Sequence, residues 1–76
     1  MRKIGSRIRE ARLAADLNQD ALAKALGMSR ALIGHWESDV REPTATGIAK
    51  LALKLHVSAD WLLGLPDGWP GKRSSS

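Results

Sequence analysis

The sequence contains no cysteine, no phenylalanine and no tyrosine among its 76 residues. Without cysteine, neither a disulfide framework nor a thiolate metal site can stabilise the chain. The two histidines, His35 and His56, lie far apart in the sequence and do not favour a zinc site. Tryptophan occurs three times, and aliphatic residues and alanine must therefore fill the interior. A chain of this length forms one small domain with a marginal core, and this composition favours close-packed helices.

Long apolar runs and strand patterns are also missing. No apolar stretch approaches the length of a membrane span. Charges recur through the N-terminal segment MRKIGSRIREAR, which leaves no apolar region of the kind that a signal peptide has. We therefore expect an intracellular domain with no membrane partner. No run of Val, Ile, Thr or aromatic residues alternates with polar residues, so strands are not expected.

Apolar residues recur instead at helical spacing. Ile4, Ile8, Ala11 and Ala15 fall at i, i+4, i+7 and i+11, which predicts a first helix of about three turns. A second helix is predicted over 19–26, a third from 30 to about 37, and a short fifth over 59–63. A fourth helix is predicted to begin after Thr44 and to carry apolar residues at helical spacing as far as Leu55. Each of these follows a side chain that can accept a hydrogen bond from the first helical turn: Asn18, Ser29, Thr44 and Ser58.

The predicted fold is all-α, a compact five-helix domain over residues 1–64. The last twelve residues, 65–76, read LPDGWPGKRSSS. They hold two prolines, two glycines and a serine run without apolar periodicity, which predicts a flexible C-terminal tail or linker.

The net charge is +4, and basic residues crowd the first dozen positions against Glu10 alone. A basic balance in so small a domain suggests a polyanionic partner. A charge cluster by itself is more often a solvated helix face, so it supports a binding function only if another motif faces the same way. The cluster consists of Arg2, Lys3, Arg7, Arg9 and Arg12.

The second and third predicted helices meet at a short turn that contains Gly27. Two helices joined by a turn of about three residues with a glycine form the helix-turn-helix arrangement. Gly27 suits the left-handed position that ends a helix, and Ala23 is small where the two helices approach. Ile33 and Trp36 fill the angle between the helices, so Trp36 is interpreted as a core residue rather than a base-stacking one.

These residues carry a resemblance to a known family. The segment LNQDALAKALGMSRALIGHWESDVREP resembles the lambda-repressor-like (Cro/Xre) helix-turn-helix family, most of all the DNA-binding domains of temperate-phage repressors. The Leu-x-Gln-x-x-Leu-Ala start, the Gly-x-Ser turn, the Ile-x-x-Trp-Glu end of the third helix and the following proline all match. SADWLLG also resembles the fifth helix of phage repressors. The resemblance covers about residues 4–64.

Two positions depart from the family pattern. Asp39 stands where the family usually has glycine, and His56 stands where a glycine often closes the fourth helix. Aspartate is enriched at positive φ relative to most residues, so the first departure is tolerable. Histidine is less suited to that conformation, which leaves the end of the fourth helix harder to place.

The resemblance implies that the third helix enters the major groove of DNA with its N-terminal residues against the bases. Arg30 is the expected base reader, because a guanidinium can bond O6 and N7 of guanine together. Ala31 could contact a thymine methyl group, and Gly34 would permit close approach. His35 lies one turn further along the same face and is assigned to contact a base or a phosphate. The alternative, that His35 is a solvent-exposed histidine with no role in binding, is nearly as well supported.

Phosphate contacts are expected around this helix. The resemblance implies that Gln19 binds a phosphate through its side-chain amide. It stands at the start of the second helix, where free backbone N–H groups also favour an anion. Ser29 is expected to cap the third helix first and to contact phosphate second. Such contacts position a protein on DNA without specifying sequence. The expected set is Gln19, Ser29, Arg41, Arg2, Lys3 and Arg7.

Two charged residues are assigned structural roles. Glu37 would repel a phosphate, and in the family it pairs with an arginine of the first helix, a position that Arg12 occupies here. Arg12 is therefore left out of the expected DNA contacts. The structural set is completed by Ala23, Gly27, Ile33 and Trp36.

The predicted function is that of a DNA-binding transcriptional regulator, a phage-type repressor in the cytoplasm of a bacterial host. One recognition helix reads few base pairs, so a homodimer on a palindromic double-stranded operator is expected. Its interface is assigned to four apolar residues, some of which could equally be core: Trp61, Leu63, Leu65 and Trp69.

The alternative is a protein-interaction module of the same fold, such as an antitoxin-like protein or an anti-repressor partner. RNA is disfavoured, because side chains cannot read its deep, narrow major groove. Catalysis has little support: Ser29, His35 and Glu37 do not form a credible triad on one short helix, and no phosphate loop or paired-carboxylate motif occurs. We expect no enzyme activity, no cofactor, no metal and no small-molecule substrate.

Overall fold

The computed structural model describes residues 4–65. This range forms five helices and no strand: α1 (Ile4–Ala14), α2 (Gln19–Leu26), α3 (Arg30–Glu37), α4 (Ala45–Leu55) and α5 (Ala59–Leu63). The all-α, five-helix prediction is confirmed. No helix within these residues is long and apolar enough to cross a membrane.

All four predicted N-caps close their helices as expected. The side-chain oxygen of Asn18 accepts a hydrogen bond from the backbone N–H of Ala21 at 2.7 Å, and Ser29 accepts one from Leu32 at 3.1 Å. Thr44 and Ser58 do the same for α4 and α5. Each bond satisfies a donor that the first helical turn would otherwise leave without a partner.

The first helix has the predicted length of about three turns, but one position of its apolar pattern differs from the prediction. The first helix ends at Ala14, and Ala15 is exposed rather than part of the apolar face. The chain turns there because Asp16 adopts a left-handed conformation with φ of 60°. The i+11 position of the apolar pattern therefore falls outside α1.

The turn between α2 and α3 depends on Gly27, which has φ of 69° and ψ of 34°. Its N–H donates to the carbonyl of Lys24, and the N–H of Met28 donates to the carbonyl of Ala23. This pair of bonds is the Schellman arrangement, which needs a residue at positive φ and favours glycine. The predicted helix-turn-helix connection is therefore present.

Apolar side chains from all five helices form one buried core. Its largest fully buried members are aliphatic, in agreement with the expected aliphatic interior: Ile8, Leu22, Ile33, Leu51 and Leu62. Ala23 is 2% exposed, which confirms its place at the helix contact. Trp36 is 4% exposed and is a core residue as predicted. Its ring reaches α4, where a Cβ on Gly47 would lie 3.2 Å from two ring carbons.

The backbones of α1 and α3 approach each other very closely. A Cβ on Gly5 would lie 2.6 Å from the carbonyl oxygen of Trp36 and would also collide with that of Glu37. The N–H of Gly5 donates to Oδ1 of Asp39 at 3.0 Å, while Asp39 has φ of 62°. Asp39 thus occupies the left-handed position and also binds the start of α1.

Candidate nucleic-acid interface

The third helix presents two different faces. Ile33 and Trp36 are buried on one face, whereas Arg30, Ala31 and His35 are exposed on the other. All three residues that the sequence assigns to base contacts therefore lie at the surface of the same short helix. Whether they contact bases stays a prediction.

A buried ion pair holds the end of α3 against α1. Nε of Arg12 donates to Oε2 of Glu37 at 2.6 Å, and Nη2 donates to Oε1 at 3.1 Å. The side chains are 8% and 5% exposed. Nη1 of Arg12 also donates to the carbonyl oxygen of Leu17 at 2.9 Å. Such two-point pairing fixes geometry as well as charge, and it agrees with the pairing that the resemblance implies.

Gln19 joins this ion pair. Its Nε2 donates to Oε1 of Glu37 at 3.1 Å. A carboxylate can only accept hydrogen bonds, so the amide nitrogen must face Glu37. Gln19 is the first residue of α2 and is half-buried. The second N–H of the same amide group can then donate to an anion at the surface, which is the role that the resemblance assigns to Gln19.

Gln19 and Arg30 border one surface cleft, which unites an expected phosphate contact with an expected base contact. Arg12 and Asn18 also line it, together with Asp20. Asp20 is on the surface, and its Oδ2 lies 3.7 Å from Nζ of Lys24, one turn along α2. Because Glu37 neutralises Arg12, the free positive charge at this cleft comes from Arg30, which forms no ion pair with any residue between positions 4 and 65.

The other expected phosphate contacts are placed less uniformly. Ser29 and Arg41 are exposed. Arg7 is half-buried, and its guanidinium carbon lies 5.1 Å from the centre of the Trp61 ring. At that distance the cation is attracted to the ring face. Arg2 and Lys3 lie outside the described residues.

The expected dimer residues that lie within positions 4–65 are half-buried rather than fully exposed. Trp61 and Leu63 pack against the edge of the core, and Leu65 is also half-buried. Leu62, which the sequence places inward, is completely buried. Trp69 lies outside the described residues. Each of the three described side chains keeps part of its surface available for a partner.

Sequence reasoning missed three contacts near this surface. The bond from Gln19 to Glu37 joins the expected phosphate anchor to the ion pair, Asp39 binds Gly5, and Arg7 lies over Trp61. No local sequence pattern reports any of them, because each joins residues from different helices or their flanking loops.

Comparison with known proteins identifies the fold. A helix-turn-helix family model, HTH_3, matches residues 8–62. The chain belongs to the HTH_3 family.

This HTH_3 domain has relatives among regulators: Repressor protein C2 of Salmonella phage P22 is 37% identical over 60 residues, which make up 79% of this chain and 28% of the repressor. The HTH-type transcriptional regulator ImmR of Bacillus subtilis (strain 168) is 34% identical over 61 residues, which make up 80% of this chain and 48% of ImmR. The chain thus spans less than half the length of these two relatives.

Solved structures agree with the HTH_3 assignment. The P22 c2 repressor in complex with a synthetic operator is 35% identical, with a TM-score of 0.77 over 83% of this chain and 96% of that one. The restriction-modification controller protein C.AhdI from Aeromonas hydrophila is 37% identical, with a TM-score of 0.74 over 79% of this chain and 91% of that one. The resemblance to phage-repressor domains is therefore confirmed.

Proposed function

We propose that this HTH_3 domain binds double-stranded DNA in a sequence-specific manner and acts as a transcriptional repressor of phage type. In this proposal α3 lies in the major groove, which admits one α-helix and displays a distinct pattern for each base pair. Arg30 reads a base, Ala31 and His35 complete the base-facing surface, and Gln19 and Ser29 bind phosphates. Two copies bind a palindromic operator in the cytoplasm of a bacterial host.

One observation carries the proposal. Arg30, Ala31 and His35 are exposed on a helix whose opposite face is buried, next to a Gln19 amide whose orientation Glu37 fixes. A helix that turns apolar residues into the core and offers a separate set of side chains outward has the division of roles that a helix in the major groove needs. The P22 c2 relative was crystallised with a synthetic operator, which supports the proposal that this domain binds DNA.

Selection from a random duplex pool tests the proposal. The expected result is a palindromic consensus, and affinity for it should fall steeply with rising salt because phosphate contacts release counterions. If no sequence is enriched at any salt concentration, the domain is not a sequence-specific DNA binder. The interaction-module alternative would then be favoured.

A further inference from the structure

An acidic side chain lines the surface cleft that is expected to face the DNA backbone. Asp20 borders this cleft together with Gln19 and Arg30, and it is exposed to solvent. In the proposed function Gln19 binds a phosphate here, and a carboxylate next to that phosphate repels it. The cleft therefore contains one group that opposes the ligand that its other groups attract.

The charges of the side chains at this cleft offset one another. The guanidinium of Arg12 is neutralised by Glu37, with 2.6 Å between Nε and Oε2. Arg30 then supplies one positive charge and Asp20 one negative charge. Lys24 compensates Asp20 only weakly, because their charged atoms are 3.7 Å apart and their side chains are 81% and 59% exposed, so that water and salt screen the pair. The Asp20 carboxylate thus remains able to act on an anion in the cleft.

The same carboxylate stabilises the helix on which it stands. Asp20 is the second residue of α2, where a negative charge lies close to the free N–H groups and to the positive end of the helix dipole. A phosphate bound at Gln19 would use the same N–H groups and the same field. Asp20 and the phosphate therefore compete for one favourable environment, and a residue that favours the folded helix weakens the binding of DNA.

We propose that Asp20 is an affinity-limiting residue: its carboxylate at the Gln19 cleft repels the DNA backbone and lowers the affinity of the domain for every duplex. This inference rests on the proposed function and adds to it a residue that opposes binding. The repulsion acts on phosphates, which carry no sequence information. Removal of the charge should therefore strengthen binding to all duplexes by the same factor and leave the base preference of Arg30 unchanged.

The test compares Asp20→Asn with the original domain, because this substitution removes the charge and keeps the shape of the side chain. At about 0.1 M salt, affinity for the selected duplex and for random duplex should each rise about threefold to tenfold, the scale of one like-charge contact near water. The gain should shrink as salt is added, because the Debye length falls from about 10 Å at 0.1 M to about 3 Å at 1 M. The melting temperature should fall by about 1–6 °C, because α2 loses a favourable charge at its start.

Glu10→Gln is the matched control for net charge. It removes one negative charge from an exposed position on α1. Arg12, which lines the cleft, lies two residues further along the same helix, so the two side chains point about 160° apart around its axis. Glu10→Gln should therefore leave DNA affinity almost unchanged. A gain equal to that of Asp20→Asn would mean that net charge alone sets the affinity, and the inference would be overturned.

Weaker binding by Asp20→Asn would also overturn the inference. A loss confined to some sequences would mean that the carboxylate contacts a base, for example as an acceptor for the amino group of cytosine. If the original domain binds no duplex at any salt concentration, the proposed function fails and the inference fails with it. If the original domain binds the selected duplex and Asp20→Asn binds it no more tightly, only the role of Asp20 fails.

Discussion

At the scale of single residues, Glu37 makes the contacts that decide the chemistry of the surface. An exposed carboxylate beside Gln19 would repel a phosphate, but this one is almost fully buried and accepts hydrogen bonds from both Arg12 and Gln19. Its charge is compensated inside the protein, and its oxygen directs the Gln19 amide. An acidic residue can therefore support anion binding without contacting the anion.

Removal of one partner of this ion pair should be costly. Glu37→Leu leaves the Arg12 guanidinium buried without a counter-charge, and we expect a loss of about 3–5 kcal/mol in the free energy of unfolding. Arg12→Met should cost a similar amount. The double variant should lose less than the sum, because neither charge then remains buried alone. Urea denaturation of the four proteins measures the coupling, and additive losses would mean that the pair contributes nothing as a pair.

Arg30 and Gln19 should behave differently when each is replaced by alanine. Arg30→Ala should weaken binding to the selected duplex by about 1–3 kcal/mol and relax the preference at one base pair. Gln19→Ala should weaken binding to all sequences alike, since a phosphate contact carries no sequence information. Binding to the consensus, to its single-base variants and to random duplex separates these effects. Melting temperatures show whether Gln19→Ala destabilises the fold by removing the bond to Glu37. If the two variants changed the base preferences in the same way, the assignment of Arg30 to a base and Gln19 to a phosphate would be wrong.

At the scale of elements, the position of α3 depends on how closely α1 approaches it. Gly5 is buried against the last carbonyls of α3, and Asp39 binds the Gly5 N–H from the turn that follows α3. The carboxylate of Asp39 lies near the positive end of the α1 dipole, which is a favourable place for a negative charge. The departure from the family's usual glycine thus adds an interhelical contact.

Gly5→Ala should destabilise the domain, although alanine is the better helix former. The new methyl group would collide with backbone carbonyl oxygens of Trp36 and Glu37, which cannot move away as a flexible side chain could. We expect a loss of about 1–3 kcal/mol, typical of overpacking, measured by urea denaturation. Gly34→Ala serves as the matched control: a Cβ there would meet only the Gln19 amide, at 3.9 and 4.0 Å, so the same change should stabilise. A stabilising Gly5→Ala would show that α1 can shift at little cost.

Local features of the sequence predict most of the elements of this fold. Caps and turns depend on a few neighbouring residues, so Asn18, Ser29 and Gly27 marked the helix-turn-helix connection correctly. The assignment of Ala15 to the apolar face of α1 was wrong, because the apolar spacing continued to Ala15 while the backbone turned at Asp16. His56 takes the left-handed position after α4 with φ of 58°, so the expectation that histidine is unsuited to this position was wrong; histidine is among the non-glycine residues enriched in this conformation.

The contacts of the candidate site could be predicted only where the family resemblance implied them. Arg12 and Glu37 are 25 residues apart, and their pairing came from the family resemblance rather than from any local pattern. The bond from Gln19 to Glu37 depends on the angle between α2 and α3, which spacing along the chain does not report. The contact of Arg7 with Trp61 likewise depends on where α5 packs against α1.

At the scale of the whole molecule, one side chain connects the basic first helix with the expected dimer surface. Arg7 was assigned to DNA and Trp61 to the dimer interface, but the two lie against each other in this structure. An arginine held over an aromatic ring can still direct part of its guanidinium outward. If Arg7 contacts DNA and Trp61 contacts the second copy, both contacts must form while the Arg7 guanidinium stays over the Trp61 ring.

The dimer proposal predicts that a charge on α5 will reduce cooperative binding to a two-fold site. Leu63 is half-buried at the edge of the core, and Leu63→Glu should weaken binding to the full palindrome by about 2–4 kcal/mol, as expected when a charge is buried at an interface centre. Binding to an isolated half-site should hardly change. Leu53→Glu is the control, because Leu53 is 78% exposed on α4. Titrations of full-site and half-site duplexes measure both effects, with melting temperatures to confirm folding. Cooperative full-site binding by a folded Leu63→Glu variant would exclude Leu63 from the dimer contact.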